Sequence, residues 1–385
     1  MNRVTIFRTT PRVVMGPGAL NQLGEEVQLL KGKKVLLVSD KGIKKTGLLK
    51  QAQDVLEKSN LDHAAFCDVE PDPRYEIVEA CVDMINKEEA DLLIGLGGGS
   101  PIDIAKSAAV MAGNDGSIAD YFGIDLVPNP GLPTIMVPTT AGTGSEVTPI
   151  VILSDEKEKL KKGIVSAYLF PSVALLDPNV TLGLPPDITA ATGMDALIHA
   201  IEAFTSVNAT GMTDNLAFRA MNLLYHNIRT AYANGNNLEA RCAMMEGSLL
   251  AGMAFANAGV TAVHAFAYPI GAEFHIPHGV ANTLMLPHVM RFNLMGNLSK
   301  FAEISDAFDL PAEGMDDLAA AELAVGAIER LSKDLRVPER LSEFNISEKD
   351  IPALAEGVMK VTRLLANNPR IMTVKDAEAI YMAAL

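Results

Sequence analysis

Four side chains have the types and spacing to do chemistry together: Asp195, His199, His264 and His278. Asp195 and His199 stand four residues apart in TGMDALIHAIEAF, where apolar positions recur at helical spacing, so both project from one helix face. His264, in AVHAFAYPIG, and His278, in IPHGVAN, follow 14 positions apart in a stretch almost free of charge. One carboxylate and three imidazoles, without a thiolate, make a shell for a divalent ion such as Fe²⁺ or Zn²⁺. Spacing alone leaves a second reading open, in which each histidine is a separate hydrogen-bonded core residue.

Two glycine-rich loops carry the other chemical signal. ADLLIGLGGGSPIDIAKSAAVMA reads as strand, glycine turn and helix, with Ser100 as N-cap, Pro101 as the first helical residue and Asp103 at the third position. Glycines such as Gly98 and Gly99 let backbone approach a ligand closely, and free amides at a helix start favour a phosphate. The pattern is neither GxGxxG nor a Walker loop, and a plain tight turn would also use three glycines. In PTTAGTGSEVT, spanning 138–148, the hydroxyls of Thr139, Thr140, Thr143 and Ser145 surround Gly142 and Gly144. Such donors suit a pyrophosphate or an amide-bearing ring, and two such loops favour a dinucleotide over a single phosphate. Asp40 closes the run KKVLLVSD. A carboxylate there either binds the ribose hydroxyls of NAD and repels the 2′-phosphate of NADP, or caps a turn.

The elements that must position these groups change character along the chain. Up to LGLPPDIT, short apolar runs (KKVLLVSD, ADLLIGLGGGS, PTIMVPTT, SVALLDP) alternate with helical patterns, which indicates a parallel or mixed sheet wrapped by helices. The opening VTIF alternates like a first strand. Beyond Pro185–Pro186 the patterns are long and helical. The expectation is an α/β domain over 1–185 and an all-helical domain over 186–385.

Composition bounds the function. The 385 residues are 49% hydrophobic and 21% charged, with a net charge of −15, which argues against nucleic-acid and anionic-membrane partners. Three cysteines in no metal-like pattern fit a reducing compartment, and the N-terminus lacks the apolar core of a signal peptide. The uncharged stretch from Gly247 to Ala272 is too rich in Gly and Ala, and too interrupted by Asn257, His264 and Pro269, for a membrane span. These features point to a soluble cytoplasmic protein.

GGGSPIDIAK, PTTAGTGSEVT, TGMDALIHAIEA, and HAFAYPIG followed by IPHGVAN together resemble the iron-containing (group III) alcohol dehydrogenases, most of all the lactaldehyde reductase/propanediol oxidoreductase-like branch. The resemblance runs from PRVVMGPGAL to NNPRIMTVKDAEAIY. It implies a dinucleotide-binding α/β domain followed by an all-α domain, the architecture of dehydroquinate synthase. It also implies Asp195, His199, His264 and His278 as metal ligands. Gly98, Gly99, Ser100 and Asp103 fall at the pyrophosphate turn, with Thr139, Thr140 and Thr143 on the cofactor's other side. Asp40 matches the ribose carboxylate, and Lys161 a lysine approaching the ribose; without the resemblance, Lys161 would read as one more solvated lysine in a charged run.

The expected activity is reversible hydride transfer between NAD(H) and a small primary or vicinal alcohol and its aldehyde or ketone, with iron, or zinc, as metal. Many members carry a histidine four residues after the third ligand, where this chain has Tyr268. A phenol cannot serve as a base at neutral pH without a large shift, so Tyr268 shapes the pocket or donates a hydrogen bond, and Phe255 joins it as a lining residue. The family is commonly dimeric, and VTIFRTT could pair across a two-fold axis. The alternatives are a hydroxyacid–oxoacid transhydrogenase with retained nicotinamide and, more remotely, a dehydroquinate synthase-type lyase. The lyase needs a basic pocket that the second domain does not show.

Overall fold

A computed structural model describes residues 4–156 and 160–385. Its contacts divide the chain into two compact units, Thr9–Gly183 and Leu184–Leu385, the second joined by the segment up to Arg8. Val4–Arg8 was expected to open the sheet. Instead it forms no strand and belongs with the helical unit, where Arg8 N donates to Asn257 Oδ1 (2.7 Å) and Asn257 Nδ2 donates to Arg8 O (2.9 Å).

The first unit alternates strand and helix: β1 (Val13–Met15), α1 (Leu23–Leu29), β2 (Lys34–Asp40), α2 (Lys41–Thr46), α3 (Leu48–Lys58), β3 (Asp62–Val69), α4 (Glu76–Glu88), β4 (Leu92–Gly97) and α5 (Gly99–Met111). There follow β5 (Gly123–Ile124), β6 (Thr134–Pro138), β7 (Ile150–Asp155), β8 (Leu160–Val165) and β9 (Val173–Leu176). Six strands form a parallel sheet in the order β1-β9-β6-β4-β2-β3, and β5-β8-β7 form a small separate sheet.

The period-2 geometry of β2 explains why its apolar run is continuous. Val35 and Leu37 enter one core with Leu23 and Val27 of α1 and Leu49 and Leu56 of α3. Leu36 and Val38 enter the opposite core with Val78 and Cys81 of α4 and Ile102 and Ala105 of α5. The chain leaves β2 for the edge strand β3, then returns to the other side of β2 as β4. That reversal places the carboxyl ends of β2, β4 and β6 side by side, the usual seat of a ligand in an open α/β sheet.

The second unit is helical among its described residues. It comprises α6 (Pro186–Thr205), α7 (Gly211–Ala233), α8 (Leu238–Ala258), α9 (Ala262–Phe274), α10 (His278–Asn293), α11 (Leu298–Ala307), α12 (Asp317–Asp334), α13 (Ile351–Lys360), α14 (Thr362–Leu365) and α15 (Val374–Ala384). Pro186 sits in the first turn of α6, where a missing N–H costs nothing. Almost the whole of α6 from Gly193 onward is buried, Asp195, His199 and Glu202 included. No single described helix is long and apolar enough to cross a membrane; α8 and α9 together approach that length but meet at a bend of 102°.

Candidate functional site

In the helical unit, Asp195, His199 and Glu202 fall at i, i+4 and i+7 of α6 and share one face. His264 lies in the first turn of α9, and His278 is the first residue of α10. The structure brings all four predicted ligands together. Asp195 Oδ1 lies 3.7 Å from His264 Nε2 and 3.8 Å from His278 Nε2, and Oδ2 lies 4.0 Å from His199 Nδ1. Ligand atoms at about 2.1 Å from a tetrahedral ion stand about 3.4 Å apart, so these separations fit one shared cation better than direct hydrogen bonds.

The strongest sign of a missing partner is His264 Nε2, buried and without a hydrogen-bond acceptor or donor. Its other ring nitrogen, Nδ1, is held by Glu202, which fixes Nδ1 as the protonated atom and leaves the Nε2 lone pair free. Glu202 is itself pinned by the Thr261 hydroxyl (2.7 Å) and the Val263 amide (2.7 Å). Burial alone would raise the Glu202 carboxyl, but His264 and Thr261 bring it below its ordinary range. Asp195 is likewise raised by burial and more than compensated by His199, His278, His264 and Asn282, so both carboxylates are anionic.

His199 is sandwiched. Its ring stacks on Phe255 at 4.3 Å and on His264 at 4.7 Å, each with an interplanar angle of 20°. Phe255 therefore holds the His199 ring in place. Asn282 Nδ2 donates to Asp195 Oδ1 (2.8 Å) and lies 3.1 Å from His278 Nε2. Tyr268, one helical turn beyond His264, has its ring 6.0 Å from that of His278; burial raises its phenol above the ordinary range, so it stays protonated.

In the α/β unit, the predicted cofactor residues gather at the carboxyl end of the sheet. Asp40 ends β2, Gly98 and Gly99 follow β4, and Thr139 and Thr140 follow β6, with Gly97 and Pro138 in register. Gly97 has φ +155°, and a Cβ there would stand 2.6 Å from Pro101 Cγ, so the turn into α5 requires glycine. Gly98, Gly99, Ser100, Thr140 and Thr143 are part-exposed at this end, whereas Thr139 is buried and donates its amide to Gly97 O at 2.9 Å.

One detail differs from expectation. The cap of α5 is Gly98 in extended conformation, without a side-chain bond, so Ser100 lies inside the first turn rather than capping it. Asp103 faces inward: Oδ1 accepts from the Ser145 hydroxyl and Oδ2 from Ile152 N (2.9 Å), tying α5 to the second loop. Asp40 Oδ1 caps α2 through Ile43 N at 2.9 Å. Lys161, on β8, pairs with Asp72 Oδ1 at 2.6 Å.

Glu202, Asn282 and Lys106 were not singled out from the sequence. Two of them had a signal: Glu202 continues the Asp195–His199 face, and Asn282 stands one turn after His278. Lys106 is buried, with Nζ donating to Ser145 O (3.0 Å), Thr148 O (2.9 Å) and Ile150 O (2.7 Å).

Comparison with known proteins covers the whole chain. Residues 10–178 match the family described as iron-containing alcohol dehydrogenase, and residues 189–385 the Fe-containing alcohol dehydrogenase family, C-terminal. A 1,3-propanediol dehydrogenase of Citrobacter freundii is 43% identical over 371 residues, 96% of each chain. A solved 1,3-propanediol oxidoreductase superposes with TM-score 0.97 at 41% identity over all of both chains. A sulfoacetaldehyde reductase from Bifidobacterium kashiwanohense, solved in complex with NAD⁺, gives TM-score 0.90 at 32% identity over 100% of this chain and 99% of its own.

Proposed function

The chain belongs to the iron-containing alcohol dehydrogenase family and is a metal-dependent oxidoreductase of alcohols and aldehydes; from that premise we propose how its residues divide the work. Asp195, His199, His264 and His278 hold the divalent ion, and the orphaned Nε2 of His264 carries this assignment. When bound there, the ion supplies Lewis acidity toward the oxygen of the alcohol or carbonyl. NAD(H), held by the β2–β4–β6 edge, carries the hydride. Gly98, Gly99, Ser100, Thr140 and Thr143 take the pyrophosphate side. The oxygen of Asp40 that does not cap α2 takes the ribose, Lys161 approaches that ribose, and Thr139 ties the two turns together through Gly97 O.

In oxidation, two electrons leave the alcohol carbon as hydride and the hydroxyl proton leaves separately. Tyr268 does not accept that proton, because its phenol is already protonated and burial keeps it so. The proton goes to water on the side of His278, whose side chain is 36% exposed. Phe255 keeps His199 oriented and water away from its face. The donor set suits iron and zinc alike.

Substrates are small primary or vicinal alcohols and their carbonyl partners. The working molecule is a cytoplasmic homodimer: three free cysteines suit a reducing compartment, and exposed Val4 (97%) and Ile6 (70%) on an extended segment suit self-association. The test is metal analysis of anaerobically purified protein with assay before and after chelation. One iron or zinc per chain is expected, with turnover lost on its removal. Retention of metal and turnover by Asp195→Ala and His264→Ala would refute the assignment.

A further inference from the structure

Lys106 lies on α5, the helix that leaves the Gly98–Gly99 turn, and is 1% exposed. An ammonium has three N–H donors and is costly to bury unless they find partners. Here Nζ reaches three backbone carbonyls of one short segment, Ser145 O (3.0 Å), Thr148 O (2.9 Å) and Ile150 O (2.7 Å), with Ser145 Oγ at 3.3 Å. Carbonyl dipoles aimed at one point repel one another unless a cation stands between them. Asp103 and Glu146 offset part of the cost of burial, so Lys106, lowered only to about 8, is mostly charged at neutral pH. The path of the backbone from 145 to 150 is therefore one that the lysine imposes.

Lys106 does not itself meet an anion seated at the glycine turn. It stands seven residues beyond Gly99, about 10 Å along α5, and its donors are already taken. Its influence passes through Ser145. The Ser145 carbonyl is held by Lys106, and its hydroxyl donates to Asp103, one turn earlier on the same helix face. The Ser145 amide donates to Thr143 Oγ1 at 3.2 Å, which leaves the Thr143 O–H to point elsewhere. Thr143 overhangs the turn: a Cβ built on Gly99 would meet Thr143 Cγ2 at 3.0 Å and Oγ1 at 3.4 Å. The chain Lys106–Ser145–Thr143 thus brings a hydroxyl donor to the start of α5, where an anion is favoured.

We infer that Lys106 is a positioning residue for the dinucleotide: through Ser145 it fixes the Thr143 hydroxyl over the Gly98–Gly99 turn, and so sets how tightly the pyrophosphate of NAD(H) is held. This rests on the cofactor assignment given above. Lys106 touches neither cofactor nor substrate in this scheme.

The experiment titrates NADH by fluorescence into metal-loaded wild type, Lys106→Met, Thr143→Val and the double variant. Lys106→Met should weaken NADH about 10- to 100-fold and Thr143→Val about 10-fold. The double variant should fall no more than about threefold below Lys106→Met, because both substitutions cut one chain. In propanal reduction the loss should appear in KM for NADH, with kcat at saturating NADH within about threefold of wild type and metal content unchanged. A lysine that only filled space would lower Tm and leave the two losses in affinity to multiply. Ser145→Ala keeps every bond from Lys106 to a carbonyl and covers the case in which Lys106→Met does not fold. It should weaken NADH about fivefold or more, and non-additively with Thr143→Val. NADH affinity within about twofold of wild type in folded Lys106→Met or in Ser145→Ala, or losses that multiply in the double variant, overturns the inference and leaves the dinucleotide reading intact. Failure of wild type itself to bind NADH strikes that reading, and the inference falls with it.

Discussion

Glu146 gives the clearest quantitative handle on the α/β unit. It is buried in the loop spanning 138–148, and burial pushes its carboxyl from an ordinary 4.5 up to about 7, with Lys106 pulling only partly against that. The folded state thus holds this proton more tightly than the unfolded chain. The resulting stability is complete below pH 4.5 and is lost as pH rises through about 7. The gap between those values is worth about 3 kcal/mol, of which about 2 kcal/mol falls between pH 5 and pH 7.5. Lys106 moves oppositely: burial lowers it to about 8, so its contribution changes mostly above that range. Glu146→Gln removes the titration while keeping size and polarity. Wild type and variant should be melted side by side from pH 5 to pH 7.5. For a unit of this size, the difference between their Tm values should move by about 4–8 °C, with wild type relatively more stable at the acid end. A difference that stays within about 1 °C across the range, or one that grows in the other direction, would show that Glu146 titrates normally and that the packing argument around it is wrong.

Two further substitutions probe the two sites separately. Glu202→Gln preserves the bonds from Thr261 and Val263 but weakens the acceptor for His264 Nδ1; metal affinity, measured by competition with a chelator, should fall about 10- to 100-fold with little loss of helical signal. Gly97→Ala places a Cβ 2.6 Å from Pro101 Cγ at φ +155°; it should cost about 1–3 kcal/mol of stability and weaken NADH binding in a fluorescence titration, leaving metal content unchanged.

What the sequence disclosed, and what it hid, follows from the reach of each interaction. The buried strands were legible because both faces of β2 and β4 are covered, which leaves unbroken apolar runs between charged flanks. The α/β-then-helical order followed from the same periodicities. VTIF misled because alternation reports only that a segment is extended; it says nothing of a neighbouring strand to bond with, and Val4 and Ile6 in fact face outward. Ser100 misled by two positions because an extended glycine can begin a helix without any side-chain cap.

The proposed ligand set was visible because Asp195 and His199 are neighbours on one helix turn. The partners of Glu202, Asp103 and Lys106 were hidden for a common reason: they lie 62, 49 and 44 residues away, at His264, Ile152 and Ile150. Helical spacing cannot see such pairs. A buried charge without a partner would cost several kcal/mol, so an ionisable residue set among apolar neighbours implies a distant partner even before that partner is identified. Applied to this chain, that rule selects Glu202 in LIHAIEAF and Lys106 in IDIAKSAAV.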